Sequence, residues 1–468
     1  MTWIRAVLLV CGVLAVSPAF GASPDPKDLI VPPEELSRAR ELVRRLGSEV
    51  YREREEAQAE LAKMGRLAKQ ALGEAVISDN DPEIRLRASR LLPKAASEDL
   101  KARIETFLAD TDGKYEHDLP GLKMFCKQLG ATQKARALYV EILKSPYNLD
   151  MFAAIDKGET EGGRAIADRR SAMWNDMQYR PVPAGGKPFV PKQPTLSDIA
   201  ALLLAESIIS SDQIPKTSTW TWINGTQFIQ QGPSIQALNN GSNVAHAEIY
   251  RTIVTKWLAT RTDPQELTNL AYQLGNTTLK QFKESQTLLR RIVLTEGVQG
   301  YAKGQALNSL IQDRGKEETK FFLAIMKNEL RVGDYPDLYP NEKNPDRTIS
   351  MGSDSMIQQV WFGRPNGQAE MHSCLMKDVA LAFLITQSGG KIQDYGFETP
   401  PGVIINQAQL GFGQYAFTSD EKRTAGFMKW GWKQLKDGID GPAPKETPKT
   451  APKDDPKPPA PTPPLPKK

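Results

Sequence analysis

Apolar side chains recur at three- and four-residue steps along most of this chain, and residues that start or stop helices bound each stretch. That period narrows the fold more than any other feature, because a strand buries every second side chain and a helix buries a stripe at i, i+3, i+4 and i+7. Leu36, Ala39, Leu42, Val43 and Leu46 form the first stripe, behind Pro32 and Pro33 and ahead of Gly47, predicting a helix over 34–46. Ser48 opens a second helix that carries Val50, Ala57, Leu61 and Met64 and stops at Gly65. A third carries Leu67, Ala71, Leu72, Ala75 and Val76.

The junction Asp79-Asn80-Asp81-Pro82-Glu83-Ile84-Arg85 is the most specific string. Asp81 is suited to accept the free amides of a first helical turn, and Pro82 suits the first helical position, where a missing N–H costs nothing. Ile84, Ala88, Leu91 and Leu92 then face inward, and Pro93 is expected to end the helix. Tyr51-Arg52-Glu53-Arg54 and Ile84-Arg85-Leu86-Arg87 echo each other 33 residues apart, a period close to those of helix-pair arrays. The Asp-Pro-Glu-Ile-Arg string resembles the HEAT-repeat consensus, in which Asp-Pro caps the second helix of a pair and the Arg braces neighbouring turns.

Stripes continue through Leu100, Ile104, Phe107 and Leu108, then Leu122, Phe125, Cys126 and Leu129, then Ala135, Leu138, Tyr139, Ile142 and Leu143. The reading places helical repeats over 34–145, a connector and Pro/Gly-rich linker over 146–195, and a second helical region over 196–332. Within the last, 217–231 stays open between helix and hairpin. Trp220 and Trp222 alternate around Asn224-Gly225, a hairpin signal, yet no neighbouring sheet offers to receive it. Residues 333–369, rich in Pro, Gly, Asn and Asp, read as a long loop. A C-terminal helical region over 370–436 opens with a helix to about 386, with Met371, Cys374, Leu375, Leu381, Ala382 and Ile385 in register. Asp378 falls within that stripe and requires a basic or backbone-amide partner.

The two ends differ from the rest. A basic start ending at Arg5, the apolar run Ala6–Val16 and the small residues of 17–22 read as a cleaved signal peptide over 1–22, followed by a linker over 23–33. Val10 before Cys11 argues against lipidation. No later run reaches membrane-span length, so no integral span is expected in the mature chain. Without the signal, Cys126 and Cys374 make no disulfide framework and read as two buried thiols. At the other end, 437–468 reads as a disordered Pro/Lys tail, with Pro-Lys pairs every four residues from Pro444 to Lys457. Ordering 441–468 would cost roughly 1–2 kcal/mol per residue, with Leu465 the one large apolar side chain of that stretch to offset it, so it reads as extended polyproline II.

The net charge is +4, and 34–109 holds 15 basic and 15 acidic residues. No basic face survives that mixing, so nucleic acid is not expected as a partner. No catalytic, cofactor-binding or metal residue is assigned and no cofactor is expected. Glu116-His117-Asp118 reads as a solvated loop and His246 as a first-turn surface residue. His372 and Cys374 read as pointing apart on a helix. Nucleophile-elbow, phosphate-loop, dinucleotide and zinc-helix motifs are missing. Asn224, Asn240 and Asn276 begin Asn-x-Ser/Thr strings to which no role is given.

Tyr51–Ala57, Asp81–Arg85, Asp118–Gly121, Lys377–Ala382, Asp394–Phe397, and Ser419–Arg423 with Trp430 together resemble a group of uncharacterised exported HEAT-like proteins of planctomycete-type bacteria. The resemblance spans about residues 38 to 436 and carries no activity with it. The fold class it and the periodicity imply is all-α: an irregular HEAT/armadillo-like α-solenoid of stacked helix pairs with long loops. Such arrays suit a non-enzymatic scaffold for a protein partner in the periplasm, cell envelope or medium. An envelope protein whose Lys-Pro tail meets an anionic polymer is the alternative, and an enzyme with a site assembled between helices is a third class.

Overall fold

How the first turns are closed explains why the N-terminal helices pack as pairs. In a computed structural model of the chain, residues 25–178, 190–216, 223–239, 244–275, 278–363, 369–403 and 411–436 are described. The expected signal at 1–22, the tail at 437–468, Trp220 and Trp222, Asn240 and Asn276, and most of the Pro/Gly-rich stretch lie outside them.

Helices α1 (Pro33–Arg45), α2 (Tyr51–Met64), α3 (Lys69–Ser78) and α4 (Pro82–Ala109) follow the predicted stripes. α1 packs on α2 and α3, and α4 packs on α3 and α2. Ala39, Leu42, Ala57, Leu61, Leu72 and Ala88 are buried in their shared core. Asp81 caps α4 by accepting from the Glu83 amide at 2.8 Å. Arg85 Nη1 donates to the carbonyls of Asp79 and Asn80 at 2.6 and 3.1 Å. Arg54 does the same one helix pair earlier, to Ser48 and Glu49 at 2.7 and 3.2 Å. Arg54 to Arg85, Ser48 to Asp79 and Ala57 to Ala88 are all 31 residues apart. These matching positions are spaced by 31 residues, whereas the sequence echo at 33 aligned Arg54 with Arg87. Arg87 instead reaches Glu55 and Gln58.

Pro93 does not end α4, which runs on to Ala109. Pro93 and Ser89, whose carbonyl loses its helical partner to the proline, are both exposed residues, so the loss falls on the solvent side of the helix.

Next come α5 (Leu122–Leu129), α6 (Gln133–Leu143), α7 (Pro146–Lys157), α8 (Glu159–Met177), α9 (Leu196–Ile208), α10 (Gly225–Ile229), α11 (Gly232–Asn239) and α12 (Ala247–Ala259). α9 is buried on all sides from Ile199 to Ala205, with α6, α7, α8, α10 and α11 against it. That packing joins it to the helices before it. The chain divides into two compact units at Trp257/Leu258, inside the expected 196–332 region and not at the Pro/Gly-rich stretch. The described part of 217–231 is helical. Asn224 caps α10, accepting from the Thr226 amide at 3.0 Å, while its own amide donates to Gln227 Oε1 at 2.9 Å.

The second unit holds α13 (Pro264–Leu274), α14 (Lys283–Leu294), α15 (Gly300–Arg314), α16 (Thr319–Lys327), α17 (Met376–Gln387) and α18 (Asp420–Lys436). It also holds two small antiparallel sheets, which qualify the all-α expectation. β1 (Glu329–Arg331) pairs with β2 (Thr348–Ser350), and β3 (Met356–Gly363) with β4 (Ala369–Leu375). The expected loop at 333–369 thus contains most of a hairpin, and the helix expected from 370 begins at Met376. Ile357, Val360 and Phe362 bury one face of β3 around a register shift at Met356/Gln358, which hides the two-residue alternation. Met371, Cys374 and Leu375 suit a helical stripe equally well, and only pairing with β3 decides for strand. Among the described residues no helix is long and apolar enough to cross a membrane.

Candidate functional site

The C-terminal half of α4 and the loop that follows it build a groove in the first unit. Asp110 ends the helix and organises the loop. Its carboxylate accepts from the Lys114 and Tyr115 amides at 2.9 and 3.0 Å and meets His117 Nε2 at 2.9 Å. Asp110 is fully buried and His117 nearly so. Burial works to raise the Asp110 carboxyl, but the Tyr115 amide, His117 and the Lys114 amide outweigh it and hold the group below the usual carboxylate range.

The expected solvated loop at 116–118 is corrected here for His117 alone: Glu116 and Asp118 are exposed, while the histidine ring packs edge-on against Phe107, centroids 5.3 Å apart. Arg136 on α6 lies 4.7 Å over the Phe107 ring and donates to the Phe107 and Asp110 carbonyls. Tyr139 Oη donates to the Pro120 carbonyl at 2.7 Å, and the Gly121 amide to Asp156 on α7 at 2.6 Å. These bonds fix loop 110–121 to three helices.

On α4, Arg103 bridges the groove. Its Nε donates to Asp99 at 2.8 Å and its Nη1 to Asp118 at 2.7 Å. Lys69 also donates to the buried Asp99. A cleft of about 300 Å³ lies on one side of the bridge, against Lys27, Ile30 and His117. One of about 380 Å³ lies on the other, floored by Leu100, Leu119, Leu149 and Ala153. Neither cleft is lined by a hydroxyl or thiol side chain. Asp99 and Asp118 are engaged by cations and Asp110 by amides and His117. The arrangement is that of fixed charges along an apolar floor, suited to holding a ligand.

The other singled-out residues lie elsewhere. His246 takes a left-handed φ of 66° just before α12, and its carbonyl accepts from Tyr250. His372 and Cys374 lie on strand β4, where alternate residues share a face, so the expectation that they point apart on a helix is corrected. The His372 ring packs edge-on to Phe362 at 5.2 Å. Cys374 is buried and Cys126 half-buried, both as free thiols, and burial pushes both above the ordinary thiol value. Asp378 has the basic partner it requires. Burial raises its carboxyl, while Arg423 and the Leu375 amide pull the other way. Among the described residues no three His, Cys, Asp or Glu side chains gather as a metal site.

Sequence reasoning missed Asp99, Arg103, Asp110 and Arg136. The one local signal was the four-residue step from Asp99 to Arg103, common on exposed helices. No family model matches this chain, and no curated protein or solved structure matches it.

Proposed function

We propose that this protein is a non-enzymatic scaffold of HEAT-like stacked helix pairs that holds an extended segment of a protein partner in the α4 groove. The observation that carries the reading is the Arg103 bridge from Asp99 to Asp118, with clefts on both sides and an apolar floor beneath. A groove of that kind accepts apolar side chains while its rim charges select and orient the backbone. The 31-residue correspondence of Arg54 and Arg85 supports the helix-pair reading. The basic start, short apolar run and small residues of 1–22 support export.

The test is a displayed peptide library panned over the full protein and over a helical control of matched charge. Enriched peptides are expected to bind at least about tenfold more weakly to Ala153→Trp, which fills the larger cleft, a loss of about 1.4 kcal/mol. No enrichment over the control, or equal binding to the filled variant, overturns the reading. Export is tested separately: protein recovered from outside the producing cytoplasm is expected to begin after Ala22.

A further inference from the structure

The second unit carries an aromatic ledge that none of the foregoing uses. Tyr272 on α13 and Tyr301 on α15 stack on each other, ring centroids 5.7 Å apart and planes within 23°, and they are 45% and 42% exposed. Phe412 meets the Tyr301 ring edge-on at 5.2 Å. The rings are held in place. Gln305 Nε2 donates to Tyr301 Oη at 3.0 Å, and Phe412 sits so close over Gly304 that a Cβ there would come within 2.7 Å of its ring. Trp361 and Trp432 are more exposed, but among the described residues neither has a second ring in contact. Paired, pre-set aromatic rings are the surface on which polyproline II segments dock, because proline rings pack flat on them and the ligand has little entropy to lose.

The chain supplies such a segment. Beyond Lys436, where α18 ends in this same unit, Pro458, Pro461 and Pro464 stand at three-residue steps. Polyproline II has three residues per turn, so the three prolines share one edge of the helix. Leu465, the one large apolar residue of 441–468, is beside them. The stretch from Lys436 to Pro458 tethers the segment to this same unit, so its docking is intramolecular and is favoured over that of a free peptide. We infer that the Tyr272–Tyr301 ledge is the seat of the chain's own Pro458–Pro466 segment. Only about nine residues are ordered by this docking.

Tyrosine nitration of the full chain, resolved by peptide mass spectrometry, tests this, with the exposed Tyr51 and Tyr147 as internal references. The Pro458→Ser/Pro461→Ser/Pro464→Ser variant leaves every described residue unchanged and is expected to nitrate about threefold faster at Tyr272 and Tyr301 relative to those references, as for a seat filled about two-thirds of the time. A free peptide of residues 456–468 at millimolar concentration is expected to restore the shielding, and its Ser-substituted counterpart is not. An unchanged ratio overturns the proposal. So does shielding that disappears on hundredfold dilution, which would assign the occupant to a second copy.

Discussion

Asp378 and Arg423, 45 residues apart, meet in the interior of the second unit, with Arg423 Nε 3.1 and 3.3 Å from the two carboxylate oxygens. Arg423 also donates to the Ser373 carbonyl at 2.9 Å, and Asp378 accepts from the Leu375 amide at the start of α17. One pair thus ties α18 to β4 and to the start of α17. Asp378→Ala leaves a largely buried guanidinium with only the exposed Asp420 as its carboxylate partner and is expected to destabilise this unit by about 3 kcal/mol. Asp378→Ala/Arg423→Met is expected to lose less than the sum of the single changes. Urea unfolding followed by circular dichroism measures both, and strictly additive losses would show that the pair is not coupled.

Acid is expected to loosen the α4 groove through Asp110. Its carboxyl lies below the ordinary range when folded, so its contribution is complete above the unfolded value of about 4 and is lost as pH falls through the lower folded value. Asp110→Asn is therefore expected to cost about 1–3 kcal/mol at neutral pH, the price of weakened bonds to two buried amides, with the gap from the native protein closing below about pH 4. Thermal midpoints of the two proteins across pH 2.5–7 (a range set by the carboxylate values) check this. A gap that widens in acid has the wrong sign.

Gly47 and Asp81 couple the first two helix pairs. A Cβ on Gly47 would come within 2.6 Å of Asp81 Oδ2 and 2.8 Å of Ile84 Cδ1. Gly47→Ala is expected to cost about 1–3 kcal/mol through crowding, and Asp81→Ala about 1 kcal/mol through the lost cap. Combined, they are expected to cost less than their sum, since removing the carboxylate opens room for the methyl group. A denaturant series on the four proteins reads the coupling directly.

The helices were legible because their causes are local. The stripe of Leu36, Ala39, Leu42 and Val43, the cap at Asp81 and the proline at 82 act within one or two turns, so sequence alone carries them. Tertiary structure decided the rest. β4 became a strand because β3 was there to pair with it, and α4 passed through Pro93 because that face meets water. His117 was drawn inside by an aspartate seven residues back, and Arg423 found Asp378 across 45 residues. Such contacts depend on where the chain returns in space, and no short-range period records that.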